Sequence, residues 1–383
     1  MHNNYFPANG HLFYFWKGRV ALYTILRALG LGPGDEVIVP GFTCVVVPNA
    51  ILYLGAKPIY ADIEPATYNL SAATVAPLIT GRSRVIIVQN TFGLSVDLDP
   101  LLELAQHHNL VVVEDCAHGL GGFYKYRPNG TIAHAAFFSS QWSKPISTGL
   151  GGAAYTVDPA LARSIERVMG DMKMPRPGLG RQTILAAQLM ARPLADQPLL
   201  HYLLVGAYRC LTQKLGLSVG SSTPSELNSV TMPPGYAKRM GPLQRQGWQR
   251  SLAGLAQKVA QRQAAISRYD EFLAVTSLKP PYRPAYAEHA MLRYAVRVPD
   301  KEHFLARARD LHIPVGDWFV SPLHPVTGDL NQWGYQAGQC PAAEQACREV
   351  VNLLTDRPLS QQQLEVLFDR TLSLAARRQV YAA

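Results

Sequence analysis

A chain of 383 residues, 48% hydrophobic and 16% charged, has enough apolar content for a sizeable core, which excludes a disordered protein and fits one large and one smaller domain. Its formal charge of +9 suits phosphorylated substrates or anionic surfaces, but no basic block is dense enough for a nucleic-acid arm, so no nucleic-acid partner is expected. Cys44, Cys116, Cys210, Cys340 and Cys347 are odd in number and lack paired zinc spacing, and Met1–Pro7 carries no basic stretch followed by an apolar run; no metal, no secretory signal and a reducing cytoplasm are expected.

In chain order, Gly18 to Leu29 places Val20, Leu22, Ile25, Leu26 and Leu29 near helical spacing, and Gly30 to Gly34 ends the run. Glu36-Val37-Ile38-Val39-Pro40 reads as a buried strand, Thr43 to Leu54 as a helix despite Pro48, and Pro58 to Asp62 and Val85 to Gln89 as further strands. Leu101 to His108 supplies a crossover helix before the strand Leu110 to Glu114. Continuous apolar strands separated by helices predict an α/β domain on a mainly parallel sheet covered on both faces. Ligands of such sheets gather at the carboxyl ends of strands, where Asp115 falls.

Lys144 follows Asp115 by 29 positions, in the run Ser139-Ser140-Gln141-Trp142-Ser143-Lys144-Pro145-Ile146-Ser147-Thr148-Gly149-Leu150-Gly151-Gly152. That pairing suggests pyridoxal 5′-phosphate (PLP), which needs a lysine amine for its Schiff base and a carboxylate to keep the ring nitrogen protonated. Either residue alone has a commoner explanation, as a surface-loop lysine or a turn-forming aspartate.

Beyond this point, Asp171 to Met232 opens with Pro175, Pro177, Gly178 and Gly180 and continues through Leu185, Leu189, Leu194, Leu199 and Leu200. Its apolar stretch is too short to span a bilayer, and Arg181, Arg192, Arg209 and Lys214 are interspersed. One or two amphipathic helices are expected, packed on the large domain, covering the site, extending a dimer interface, or touching the inner face of the membrane. Leu243 to Phe272 then reads as one long connecting helix, followed by the strand Arg293 to Val298, the helix Lys301 to Leu311 and the strand Ile313 to Val315. The expected boundaries are a large domain over 1–240, with 171–232 as a partly helical insertion, and the connecting helix with a small C-terminal α+β domain over 241–383.

Four segments, Gly32 to Thr43, Gly55 to Ile63, Glu114-Asp115-Cys116-Ala117-His118 and the Lys144 run, resemble in order the DegT/DnrJ/StrS family of PLP-dependent sugar aminotransferases. Arg239 to Gln244, Pro322-Leu323-His324 and Cys340 through Leu359 continue the likeness; 171–232 lacks a clear counterpart. The resemblance implies a fold-type I enzyme with a mostly parallel seven-stranded sheet and a homodimer with shared sites. It implies that Lys144 links the cofactor and moves the proton, Asp115 pairs with the pyridinium nitrogen, His118 lies near the ring and Ser139 donates to the phosphate.

The resemblance also brings backbone donors at Gly18, Arg19 and Val20 to the phosphate, with the Arg19 side chain adding a charge or pointing to solvent. Three positions depart from the family: Lys17-Gly18-Arg19 replaces serine-glycine-threonine, Cys44 replaces a stacking aromatic, and Ala237 replaces an asparagine that reaches across the dimer, with Lys238 as its substitute. Trp318 and His324 are substrate-side candidates. The activity implied is transfer of an amino group from glutamate or glutamine to a keto sugar, nucleotide-linked, for polysaccharide or secondary-metabolite amino-sugar synthesis. Dehydration or elimination on a sugar, and an inactive scaffold or membrane-associated relative, remain as alternatives.

Overall fold

The computed structural model describes residues 5–195 and 222–368. Runs of β-branched residues such as Val85-Ile86-Ile87-Val88 and Val111-Val112-Val113 form the buried strands. The first part of the chain holds β1 (His11–Phe15), β2 (Glu36–Pro40), β3 (Thr43–Cys44), β4 (Lys57–Ala61), β5 (Ser83–Gln89), β6 (Val111–Asp115), β7 (Phe123–Tyr124), β8 (Arg127–Pro128), β9 (Ala135–Ser139) and β10 (Gly152–Thr156). Seven of them make one sheet in the order β1-β10-β9-β6-β5-β2-β4. The pairs from β9 to β4 are parallel, and β10 runs against both its neighbours, β9 and β1.

Helix α1 (Gly18–Ala28) buries Val20, Leu22, Ile25 and Leu26 and packs against β9 and β10. Helix α2 (Val46–Leu52) accepts Pro48 because the amides of a first turn have no intrahelical partner to lose. In the C-terminal part, β12 (Arg293–Arg297), β15 (Val350–Leu354) and β13 (Val315–Gly316) form an antiparallel sheet, while β11 (Ala287–Glu288) pairs with β7. Helices Lys301–Asp310 and Pro341–Glu349 accompany this sheet, giving the expected α+β arrangement.

Two predicted elements differ. Thr43 and Cys44 are not helical: they pair in parallel with β14 (Leu323–His324), and Thr43 N donates to Pro322 O at 2.9 Å. A strand from the C-terminal part of the chain supplies the backbone acceptors there, so the helix starts at Val46. The long connecting helix is broken into Pro242–Ala253 and Leu255–Leu273 at Gly254, whose φ of −89° and ψ of 6° leave the helical region. Glycine takes that conformation at little steric cost.

The N-terminal and C-terminal parts of the chain also meet away from β3 and β14. The Asp62 carboxylate, just past β4, accepts the amides of Ala342 and Ala343, both at 2.9 Å, at the start of Pro341–Glu349. A side chain beside the seven-stranded sheet thereby caps a helix of the C-terminal part.

Beside the future site, the buried Glu114 carboxylate accepts amides from Gly130 at 2.8 Å, Ile132 at 3.3 Å and Ala133 at 3.2 Å. It organises the turn between β8 and β9 from inside the sheet. Glu114→Ala orphans these donors, and an unpaired buried donor costs about 1–3 kcal/mol. The expected outcome is a loss of about 3 kcal/mol in urea unfolding followed by far-UV dichroism, with Glu114→Gln losing less.

Candidate active site

Parallel strands β5, β6 and β9 end side by side, and their carboxyl ends open into a cavity of about 220 Å³. Gln89, Asp115 and Ser139 close these strands and line it, as do Gly18 and Arg19 from α1 and Cys44 from β3. Lys144 enters from the loop joining β9 to β10. That loop is closed by Thr148 N donating to Ser140 O at 2.9 Å and by a hydroxyl pair, Ser140 Oγ with Thr148 Oγ1, at 2.7 Å. The antiparallel return of β10 therefore holds the lysine over the end of the parallel sheet.

Lys144 Nζ lies 2.8 Å from His118 Nε2. His118 Nδ1 accepts the Phe92 amide at 3.3 Å, so the one proton of the neutral imidazole sits on Nε2 and points at the lysine. The partner lysine then accepts as a neutral amine. Burial pushes Lys144 down to about 8; Cys44 and Asp115 oppose the fall, and Arg293 and Arg19 add to it. Burial also holds His118 well below the usual histidine range, with the Lys144 charge next.

Asp115 is buried and raised to about 6 by its enclosure, against the Ala117 amide at 2.8 Å and the Lys144 charge. It retains capacity for a cationic or N–H partner. His118 and Trp318 stack with centroids 5.1 Å apart and planes 6° apart, and Lys144 Nζ lies 4.9 Å from the Trp318 centroid. Trp318 is fixed by Asn352 of β15, which accepts its amide at 3.1 Å and donates to its carbonyl at 2.7 Å. His324 accepts the Val320 amide on Nδ1 at 3.3 Å, and burial depresses it to about 4.

The anion end of the cavity lies where α1 begins. No side chain caps the first amides of this helix, because Lys17 at the cap position makes no capping bond. Ser139 Oγ is buried and has no hydrogen-bond partner among the described residues. A Cβ on Gly18 would lie 2.9 Å from Phe138 O and 3.1 Å from Ser139 Cβ, so glycine is what lets the helix approach the end of β9.

Of the sequence candidates, Lys144, Asp115, His118, Ser139, Gly18, Arg19, Cys44, Trp318 and His324 all line this cavity. Val20 does not: its side chain is in the core, and its amide already donates to Lys17 O at 3.1 Å, which removes it as an anion donor. Lys238 is part-buried and stays outside the cavity of its own chain. Arg19 does not point to solvent; it is buried, with Nη1 2.7 Å from Glu226 Oε1.

Residues that sequence reading missed include Gln89, Phe92, Asn352 and Glu226. Gln89 had a usable signal, since it ends a parallel strand as Asp115 does. The other three act through partners distant in the chain.

A model of the DegT/DnrJ/EryC1/StrS aminotransferase family matches residues 6–189 and 204–370. The chain belongs to that family. The match breaks over 190–203, inside the 171–232 segment, of which 196–221 lies outside the described residues.

Among similar proteins, GDP-perosamine synthase of Caulobacter vibrioides is 42% identical over 40% of this chain and 42% of its own length. UDP-2-acetamido-2-deoxy-3-oxo-D-glucuronate aminotransferase of Pseudomonas aeruginosa is 28% identical over 88% of this chain and 79% of its own. A family aminotransferase from Brucella abortus has the same fold at a TM-score of 0.70 and 22% identity, covering 94% of this chain and 86% of that one. The match to the Caulobacter enzyme thus spans about two fifths of that relative's length.

PLP is the cofactor of the DegT/DnrJ/EryC1/StrS family, and the residues present fit it. The orphaned Ser139 hydroxyl and the uncapped α1 amides suit a phosphate, and the buried Asp115 carboxylate suits a protonated ring nitrogen. The described helices include none long and apolar enough to cross a membrane.

A neutral, hydrogen-bonded Lys144 makes a pH prediction for the cofactor-free protein. Below its pKa the amine is charged and unreactive; above it the free base reacts. Acylation of Lys144, followed by peptide mass spectrometry across pH, is expected to show a midpoint of about 8. A midpoint in the ordinary lysine range near 10.4 would mean that the amine is solvated.

Proposed function

We propose that the chain is a PLP-dependent aminotransferase that transfers an amino group from an amino acid, glutamate or glutamine, to a keto sugar carried on a nucleotide. The observation that carries this reading is the meeting of Lys144, Asp115 and Ser139 at one cavity, with His118 fixing the state of the lysine. Bound PLP supplies an electron sink for the pair left when a proton leaves the donor's Cα.

The protein's own groups divide the remaining work. Lys144 Nζ takes the Cα proton of the amino donor and delivers it to the cofactor's C4′; its pKa, lowered to about 8, gives a larger share of free base near neutral pH than an ordinary lysine has. Asp115 keeps a proton on the ring nitrogen, and Ser139 Oγ with the first α1 amides binds the phosphate. Trp318 supplies an aromatic wall that Cys44 lacks, and His324 donates from the substrate side through Nε2, its Nδ1 being engaged by Val320.

The acceptor class draws support from the two relatives whose names specify GDP- and UDP-linked sugars. The basic balance of +9 suits a diphosphate-bearing acceptor. A homodimer with shared sites belongs to the same reading, with Lys238 contributing to the partner's phosphate site. Amino-sugar synthesis for surface polysaccharides or secondary metabolites, in the cytoplasm, is the corresponding setting. A lysine at position 144 supplies the base that a proton shift in both directions requires, which favours transamination over sugar dehydration.

Absorption spectra test the proposal. Purified protein given PLP is expected to become yellow and lose that band on addition of L-glutamate or L-glutamine, and Lys144→Ala to show neither change. Recovery of the band on adding a keto-sugar nucleotide would identify the acceptor class. Retention of the band with every amino donor would reject transamination.

A further inference from the structure

The start of α1 is joined to a residue 207 positions away. Glu226, buried in the short helix Pro224–Asn228, is oriented by a reciprocal cap with Thr223, whose amide donates to Glu226 Oε2 at 2.8 Å. The same oxygen faces Lys17 Nζ at 3.3 Å, leaving Oε1 for Arg19 Nη1 at 2.7 Å. The Glu226 carbonyl accepts Asn49 Nδ2 of α2 at 2.7 Å, and Asn49 Oδ1 accepts Trp333 Nε1 at 2.7 Å. Glu226 is therefore held from three sides, and Arg19 Nη1 is held by Glu226 and by Ser222 Oγ at 3.2 Å.

This arrangement leaves one Arg19 donor without an acceptor. Arg19 is buried, its Nε has no hydrogen-bond partner, and it lines the cavity beside Gly18 and the equally unpartnered Ser139 Oγ. A buried guanidinium N–H without an acceptor is costly unless a ligand supplies one. Lys17 and Arg19 place two positive charges at the positive end of the α1 dipole, and Glu226 neutralises one of them. The remaining charge and the start of α1 thus lie at a cavity lined by two residues that each carry a donor without a protein acceptor, Arg19 and Ser139.

We propose that Glu226 is a positioning residue that locks Arg19 by one guanidinium nitrogen and presents the rest of the fork to the cofactor phosphate, so that phosphate recognition in this chain depends on the Arg19–Glu226 pair. The inference rests on the PLP reading above. Arg19 contacts the phosphate; Glu226 acts through Arg19 and touches no ligand. Glu226 thereby gives the end of the 171–232 segment a task at the site.

The test compares PLP with pyridoxal, which lacks the phosphate, in equilibrium titrations of the cofactor-free full chain. A charge-assisted hydrogen bond supplies about 1.5–3 kcal/mol, so Arg19→Gln is expected to weaken PLP about 10- to 100-fold and to change pyridoxal less than about threefold. Glu226→Ala is expected to weaken PLP in the same direction, and the double variant to bind PLP no worse than Arg19→Gln alone. Glu226→Gln, which keeps the volume and one acceptor oxygen, should fall between wild type and Glu226→Ala.

Equal losses for PLP and pyridoxal in the Glu226 variants would make Glu226 merely structural and overturn the proposal. Tighter PLP binding by Glu226→Ala would also overturn it, by showing that the carboxylate acts as a repelling charge. A wild-type chain that binds neither compound rejects the cofactor reading itself, whereas a wild type that binds PLP with both Glu226 variants unchanged rejects this inference alone.

Discussion

An imidazole has one proton to place, and in this structure the Phe92 amide decides where it goes. With Nδ1 occupied as an acceptor, His118 must present Nε2–H to Lys144, and the lysine is complementary only as a neutral amine. Phe92 reaches this position with φ at 57°, a conformation that costs an L-residue roughly 1–2 kcal/mol. Its neighbours hold it there: Thr91 N donates to Asn69 Oδ1 at 2.9 Å, and Gln89 Nε2 to Thr91 Oγ1 at 2.9 Å. Local strain after β5 is thus coupled to the protonation state of a lysine after β9.

The C-terminal part of the chain completes this constraint. Trp318 stacks on His118, and the loop that carries it is fixed by Lys301, whose buried amine donates to Asp317 O at 3.2 Å, Phe319 O at 3.0 Å and Cys347 O at 2.9 Å. A lysine that spends all three donors on carbonyls acts as a structural tie. Together with the β3–β14 pair and the Asp62 cap, it ties the position of Trp318 to contacts between the N-terminal and C-terminal parts of the chain. The cavity belongs to that joint as much as to the sheet.

Much of the sheet and the centre of the site could be read from the chain, because both rest on short-range patterns. Apolar runs mark the parallel strands, a carboxylate ends one of them, and a lysine follows in a glycine-rich loop. Periodicity was less useful for β9 and β10, whose Ala-Ala-Phe-Phe-Ser and Gly-Ala-Ala-Tyr-Thr segments are buried but poor in β-branched residues. The Thr43–Cys44 pairing and the Gly254 break escaped for another reason. Each local sequence is compatible with helix, and tertiary partners or one glycine torsion decide. Arg19 shows the limit most clearly: its neighbours allow phosphate or solvent, and only a glutamate 207 residues away shows that it is buried and paired.

Charge balance links these observations. Lys17, which burial lowers to about 8, and the guanidinium groups of Arg19 and Arg293 bring positive charge close to the site, against the carboxylates of Glu226 and Asp115. The Arg19 and Arg293 charges contribute to lowering Lys144, so the free base depends on positive potential as well as burial. An anion at the start of α1 would oppose that potential, and the Glu226 carboxylate already absorbs part of it. The anion end and the amine end of one cavity are therefore electrostatically coupled. Arg19 sits at the point where a change at one is felt at the other.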